Sequence, residues 1–197
     1  MRFTSLPDWA FYPIAALVIG GMIGGALSFG NTGARSVEEL LQDGRVFQGE
    51  ELGALATGNG LYVQLLNEDD GFFARVRAER GQFDGLQSAG AFFVLSDLER
   101  EAFQGHRVRM RVVARSAGTN GAEGTHVNLF LPGRGQGQWE RVELSNSFEA
   151  YDFEIAVREC VWDFAFVSLW PDWVEEANTI DVERIEVSVL EPQPSCA

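Results

Sequence analysis

The sequence contains no lysine and few of the side chains that build metal centres, with two cysteines and two histidines in 197 residues. Those four side chains are too few for a closed structural zinc site unless carboxylates join them. Positive charge is also scarce, because 15 arginines face 29 acidic residues and leave a formal net charge of −14. A nucleic-acid binder needs a basic surface to displace counterions from phosphates, so this acidity argues against a nucleic-acid partner.

Catalytic and phosphate-binding patterns are absent as well. His106 and His126 lie far apart in sequence, and no serine or cysteine has the context of a nucleophile. The segment GRGQGQ (133–138) lacks the lysine and the following helix of a phosphate-binding loop. The sequence therefore predicts a binding protein with no catalytic residue, no metal ligands and no cofactor.

Residues 10–29 (AFYPIAALVIGGMIGGALSF) carry no charge. As a helix these 20 residues span about 30 Å, the thickness of a bilayer's hydrocarbon core. Trp9, Phe11 and Tyr12 cluster at one end, as interfacial aromatic residues do. We predict a single transmembrane helix after a short cytoplasmic tail over residues 1–9. The alternative is a signal peptide cleaved near Ala26-Leu27-Ser28.

Four glycines in the predicted helix form two overlapping pairs spaced four residues apart. Small residues at this spacing let another helix approach closely, so one interpretation is packing against other transmembrane subunits. The other is a monomeric span, since glycine is common in membrane helices. The candidate packing residues are Gly20, Gly21, Gly24 and Gly25.

Cys160 and Cys196 form an even pair that suggests a disulfide, which would tie down the proline-rich tail before Cys196. The alternative is two unrelated thiols. A disulfide favours an oxidising compartment. We therefore expect a single-pass protein of the bacterial inner membrane, with its soluble domain in the periplasm.

The region after the membrane segment divides into a linker (30–60) and a domain (61–197). Ser36 and Glu39 form a capping-box pattern that predicts a short helix near 37–42, which ends at Gly44. From residue 61 the hydrophobic residues recur with period two, and only 96–103 reads as helical. The predicted strands are 61–66, 72–78, 90–95, 106–115, 125–131, 138–144, 148–157, 161–169 and 179–190. This pattern predicts an all-β domain, a jelly-roll β-sandwich.

Three segments carry a resemblance to a known family: GHRVRMRVVARSAG (105–118), GQWERVELSNSFEAYDFEIAV (137–157) and NTIDVERIEVSVL (178–190). Over residues 85–190 the chain resembles the galactose-binding-like jelly rolls, which include many carbohydrate-binding modules. The resemblance implies the fold but no particular ligand. Some members hold a structural calcium through an acid at the place of Asp181. His106 stands where the family commonly has an aromatic residue.

Alternating side chains of the strand at 106–115 divide into an apolar face and an arginine face, the latter formed by Arg107, Arg109 and Arg111. We interpret these arginines as structural, because opposite charges on adjacent strands pair across a sheet. Given the family topology, the expected facing acids are Asp152, Glu154 and Glu186. In the last strand the alternation changes phase, which predicts a β-bulge near Glu183-Arg184.

The segment WPDWVEE (170–176) places two tryptophans among acidic residues. Tryptophan faces stack on sugar rings and carboxylates accept hydroxyl hydrogen bonds, yet tryptophan also anchors protein interfaces. A third interpretation is that both rings cover the open end of the sandwich. The candidate ligand- or partner-binding residues are Trp139, Trp170, Asp172 and Trp173.

Two functions follow from the sequence. The first is a periplasmic docking domain, an accessory subunit held to a larger membrane complex by the glycine face of its helix and a surface of the domain. The alternative is a membrane-tethered carbohydrate-binding module, which would bind a glycan with the Trp170–Trp173 loop or with the concave sheet.

Overall fold

The computed structural model describes residues 35–68, 71–85, 88–130, 139–157 and 164–192. The chain divides into two compact units, Met1–Arg35 and Ser36–Ala197. The predicted membrane helix (10–29) with its four glycines lies outside the described residues, as do Cys160 and Cys196. In the described part of the chain, no helix is long and apolar enough to cross a membrane.

Two short α-helices and one 3₁₀-helix accompany the strands of the second unit: α1 (Val37–Asp43), α2 (Asp97–Phe103) and the 3₁₀-helix (Gly49–Ala54). The strands are β1 (Arg45–Gln48), β2 (Ala56–Thr57), β3 (Leu61–Glu68), β4 (Gly71–Ala78), β5 (Ala91–Val94), β6 (His106–Ser116), β7 (Gly124–Phe130), β8 (Glu140–Glu143), β9 (Glu149–Ala156), β10 (Phe166–Pro171) and β11 (Thr179–Pro192).

The strands form two antiparallel sheets. The first has the order β3-β4-β11-β6-β9, and β1 also pairs with β11. The second has the order β2-β5-β10-β7-β8. The inward side chains of both sheets belong to one hydrophobic core, so the unit is an all-β sandwich, as the sequence predicts.

The alternation of apolar and polar residues explains which face of each strand points into the core. Val108, Met110 and Val112 of β6 are buried in the core, and the arginines between them face outward. The predicted bulge is confirmed, because Val182 pairs with Ala114 while Arg184 already pairs with Val113. The extra residue, Glu183, restores the inward phase for Ile185, Val187 and Val189, and a second register shift follows between Val189 and Glu191.

The predicted linker (30–60) is wrong from Ser36 onward. β1 pairs with β11 in the first sheet, and β2 pairs with β5 in the second. Phe47 is buried and stacks on Phe93 at a centroid distance of 4.2 Å, so this segment belongs to the core. The short helix is confirmed as α1, with both hydrogen bonds of the Ser36 and Glu39 capping box present.

The outer face of the first sheet carries the expected ladder of charges. Arg111 faces Asp152 on one side and Glu186 on the other. Its guanidinium donates to both carboxylate oxygens of Asp152, at 2.7 and 2.8 Å, and this hydrogen bonding holds the pKa of Asp152 below its ordinary value. The structural interpretation of the arginine stripe is confirmed at this pair.

Asp181 is fully buried on the same sheet. Its carboxylate accepts two hydrogen bonds from Arg75, at 2.7 and 3.0 Å, and one from Arg115 at 3.1 Å. Arg115 in turn lies against the rings of Phe73 and Phe148. The acid that the resemblance relates to calcium therefore has both oxygens engaged by guanidinium groups.

Candidate functional site

The outer face of the second sheet is built from alternate residues of β10 and β7. Val167 and Leu169 point into the core and are fully buried. The residues of β10 that alternate with them face outward. They pair with β7 as Phe166 with Phe130, Ser168 with Asn128 and Trp170 with His126. One end of this face is therefore aromatic, and its middle is polar.

Four phenylalanine rings form a cluster at the aromatic end. The ring of Phe166 lies at centroid distances of 4.9 Å from Phe92, 5.8 Å from Phe130 and 5.2 Å from Phe164. The rings of Phe130 and Phe164 are nearly parallel, at an interplanar angle of 8°. The cluster provides a broad apolar surface on the outside of the sandwich.

A cleft of about 260 Å³ opens over this cluster. Within the described ranges its walls come from three places: the loop after β4, the cluster on the second sheet, and the residue before β8. Phe83 on the loop is 73% exposed and Phe164 is 41% exposed, so both present rings to solvent. The described lining residues are Gln82, Phe83, Ser88, Ala89, Phe130, Trp139, Phe164 and Phe166.

Trp139 is held in the wall of the cleft by Trp170. The two rings meet edge to face at a centroid distance of 6.5 Å and an angle of 89°. Trp170 is completely buried, its Nε1 donates to the carbonyl of Arg80 at 3.2 Å, and the Arg80 guanidinium lies 5.1 Å from its ring centroid. The prediction that Trp170 contacts a ligand from a loop is therefore wrong, because Trp170 belongs to β10 and supports Trp139.

Gly90 lets the chain pass closely beside these tryptophans. Its φ is +84°, and a Cβ there would lie 2.5 Å from the Leu169 carbonyl oxygen and 3.2 Å from the Trp139 ring. A side chain would strain the backbone and collide with the sheet. This position therefore contributes to the placement of Trp139.

Asp172 and Trp173 lie in the segment after β10, and neither is among the described residues that line the cleft. The Asp172 side chain is almost buried and accepts two hydrogen bonds from Arg141, at 2.9 and 2.7 Å. Its other oxygen lies 3.3 Å from Nδ1 of His126, without hydrogen-bond geometry. Asp172 is thus a structural clamp, whereas Trp173 is 43% exposed.

Several polar atoms near the cleft are buried and have no hydrogen-bond partner. They are both amide atoms of Gln82, Nδ2 of Asn128 and Oγ of Ser168. Buried polar groups are nearly always paired with protein, water or ligand. Of these three residues only Gln82 lines the cleft, and both of its amide atoms are buried from solvent.

Sequence reasoning named one residue of this cleft, Trp139, and missed the rest. Phe164 and Phe166 had a signal, because they alternate in the predicted aromatic strand 161–169. Gln82 and Phe83 had none, since they lie in a loop whose sequence shows no periodicity.

The fold of the two sheets is similar to the β-sandwich fold of carbohydrate-binding modules. The structure is similar to the xylan-binding domain CBM22-1 of Paenibacillus barcinonensis Xyn10C, with a TM-score of 0.51 and 8% identity, over 68% of this chain and 85% of that one. It is also similar to the tandem CBM22-1-CBM22-2 domain of the same protein, with a TM-score of 0.51 and 9% identity, over 71% and 42% of the two chains.

No protein-family model matches the chain, and no curated protein matches it. At these identities the structural likeness concerns the fold alone.

Proposed function

We propose that this protein is a non-catalytic glycan-binding module whose binding site is the aromatic cleft on the second sheet. The observation that carries the proposal is the joining of Trp139 and a phenylalanine cluster in one open cleft. The fold shared with a xylan-binding domain supports it. Glycan binding is the alternative function that the sequence analysis offered. The proposed site is the cleft rather than the segment 170–176.

The chemistry of the cleft suits a sugar. The C–H face of a pyranose ring is apolar and stacks on aromatic rings, while its hydroxyls need directed polar partners. Trp139 and the exposed rings of Phe83 and Phe164 offer the apolar surface. Ser88 and Gln82 also line the cleft, although both amide atoms of Gln82 are buried.

Glycan retention by the full-length protein in mild detergent tests the proposal. Affinity electrophoresis through gels containing xylan and other soluble polysaccharides would measure retardation. Removing one stacking ring costs about 1–3 kcal/mol in comparable aromatic stacking, so Trp139→Ala should weaken binding roughly fivefold or more. Trp173→Ala is the matched control, because Trp173 is exposed outside the cleft. Retardation by none of the glycans, or loss of it in Trp173→Ala alone, would overturn the proposal.

We also propose that residues 10–29 anchor the module in the bacterial inner membrane with the domain in the periplasm. Support comes from the uncharged stretch of bilayer length and the aromatic residues clustered at its start. Full-length protein should stay with membranes during alkaline carbonate extraction, and protease added to spheroplasts should digest the domain. Release of the protein by carbonate would contradict the membrane anchor. Protection of the domain from protease in spheroplasts would contradict its periplasmic location.

A docking role in a membrane complex is the second candidate, and Trp173 with Val174 favours it. These side chains are 43% and 63% exposed at a turn that is closed by backbone hydrogen bonds between Val174 and Ala177. Preorganised exposed aromatic residues are frequent interface anchors. If this role holds, Trp173→Ala or Gly24→Leu should release companion subunits from the purified protein. Purification of the wild-type protein alone would rule the role out.

A further inference from the structure

We propose that Arg80 is a positioning residue of the aromatic cleft. Its side chain joins the loop that carries Phe83 to Trp170, and the Trp170 ring supports Trp139. This inference rests on the proposed glycan-binding function and identifies a residue that keeps the site in its binding form. Arg80 is not among the described residues that line the cleft, so its contribution is made through the rings that are.

The Arg80 side chain is fixed by the turn between β2 and β3. Its Nε and one terminal nitrogen donate to the backbone carbonyl of Asn59, at 3.3 and 3.1 Å. The next residue of the turn, Gly60, leaves room for these contacts, because a Cβ there would lie 2.7 Å from Nε of Arg80. The Gly60 carbonyl accepts from the Glu79 backbone at 2.9 Å, so the same turn also holds the chain just before Arg80.

The same guanidinium contacts the tryptophan that supports the cleft. It lies 5.1 Å from the centroid of the Trp170 ring, and Nε1 of Trp170 donates to the backbone carbonyl of Arg80 at 3.2 Å. A cation over an aromatic ring is attracted most strongly where water is excluded, and Trp170 is completely buried. Because Trp139 packs edge to face on Trp170, a displacement of Trp170 would also move a ring that lines the cleft.

Arg80 also stands at the base of the turn that presents Phe83 to solvent. The Asp84 backbone donates to the carbonyl of Gly81, and the Gly81 backbone donates to the Asp84 carboxylate, both at 3.1 Å. Phe83 lies inside this turn and is 73% exposed. A Cβ at Gly85 would lie 3.7 Å from a terminal nitrogen of Arg80, so the guanidinium also lies beside the end of the turn. The side chain therefore connects the turn, the β2–β3 connection and Trp170.

These contacts predict a preorganised site. A binding surface whose side chains are already in place loses less conformational freedom when a ligand binds. Without the guanidinium, a sugar would have to order the Phe83 turn and the tryptophan pair as it binds. Loss of Arg80 should therefore weaken glycan binding although every lining side chain is still present.

Arg80→Met keeps the unbranched stem of the side chain and removes its guanidinium. Isothermal titration of the full-length protein in detergent, with xylohexaose, cellohexaose and chitohexaose, measures the effect. We expect about fivefold weaker binding of each sugar that the wild type binds, the cost of ordering one or two side chains. Arg77→Met is the matched control, because Arg77 lies 5.2 Å from the Tyr62 ring centroid and is not among the described lining residues. Unchanged affinity in Arg80→Met, or an equal loss in Arg77→Met, would overturn the inference.

A double-mutant cycle with Phe83→Ala distinguishes positioning from a general loss of stability. Residues that act through one another have effects that do not add, whereas independent effects do. If Arg80 places the Phe83 ring, Arg80→Met should weaken binding clearly less in the Phe83→Ala background than in the wild type. A loss of the same size in both backgrounds would show that Arg80 does not act through Phe83, and it would overturn the inference.

Near-ultraviolet circular dichroism tests the placement of the tryptophans without any sugar, because it reports fixed packing of aromatic side chains. The difference between the wild-type and Trp139→Phe spectra is the signal that depends on Trp139. We expect Arg80→Met to lose most of this signal and Arg77→Met to keep it. An intact signal in Arg80→Met overturns the inference even if the wild type binds a glycan. A wild-type protein that binds none of the sugars overturns the proposed function, and the spectrum then still decides whether Arg80 places the rings.

Discussion

His126, Asp172 and Arg141 form a polar cluster at the end of the second sheet, where three chain segments meet. Arg141 on β8 and His126 on β7 are register partners, and Asp172 follows β10. Burial lowers the pKa of His126 below its ordinary value of 6.5; Asp172 opposes this shift, and Arg141 adds to it. The imidazole is therefore held neutral in the folded domain at neutral pH.

This cluster predicts a loss of stability in mild acid. Because the unfolded chain protonates His126 more readily than the folded domain, it binds more protons below pH 6.5. The free energy of unfolding should thus be highest above that pH and fall as the pH drops from about 7 to 5.5. His126→Gln should flatten this slope in urea titrations made at several pH values. A slope that is identical in His126→Gln would show that other groups cause it.

At the residue scale, the sequence did not distinguish Trp139, which lines the cleft, from Trp170, which is buried. Trp139 and Trp170 both stand at strand ends beside loop sequences, and periodicity does not reveal what covers an outward side chain. Trp170 faces outward by strand parity and is nevertheless buried, because the chain near Arg80 packs on it. That contact joins residues 90 positions apart, and no local pattern encodes it.

At the scale of elements, long strands were predictable and short ones were not. β6 and β11 alternate over 11 and 14 residues, so both their faces and the bulge in β11 could be derived. β1 and β2 have four and two residues, too few to show a period. Their place in the sheets depends on pairing with β11 and β5, which the local sequence does not specify.

The loop that supports the cleft gives a prediction for Gly90. Gly90 and Gly49 both have a positive φ, which disfavours alanine at either position. Only at Gly90 would the added Cβ meet close neighbours. Gly49→Ala should cost about 1 kcal/mol of unfolding free energy for backbone strain alone. Gly90→Ala should cost roughly 2–4 kcal/mol, because the Leu169 carbonyl and the Trp139 ring must move.

The same two variants distinguish an effect on glycan binding from an effect on the stability of the fold. Gly90→Ala should also weaken glycan binding, since it displaces Trp139, whereas Gly49→Ala should bind as the wild type does. Urea denaturation and affinity electrophoresis measure the two effects. Equal losses of stability in both variants would show that the contacts at Gly90 relax without cost.

At the scale of the whole molecule, one core joins both sheets. Phe47 from the first sheet stacks on Phe93 from the second, and the buried residues of both sheets form a single cluster. The cleft also combines parts of the chain that are far apart in sequence. Its described lining comes from the loop after β4, from strands β7 and β10, and from the residue before β8. This explains why the sequence predicts the class of fold but not its cleft.

The shared core predicts that Phe47→Ala weakens the entire domain. Large-to-small changes of a buried phenylalanine cost about 3–5 kcal/mol, whereas a residue in a linker would cost almost nothing. Unfolding followed by far-ultraviolet circular dichroism and by tryptophan fluorescence should shift together to lower urea. Leu41→Ala, at a partly exposed site on α1, is the control. Two separate transitions would show that the sheets unfold independently.

The central place of β11 also affects how the protein is made. β11 pairs with β1 and β4 along one side and with β6 along the other, yet all three partners precede it in the chain. During translation these strands leave the ribosome with unpaired edges and wait for residues 179–192. The first sheet is therefore complete only after synthesis of this last described strand, and until then the edges of β4 and β6 that β11 covers are open to pairing with other chains.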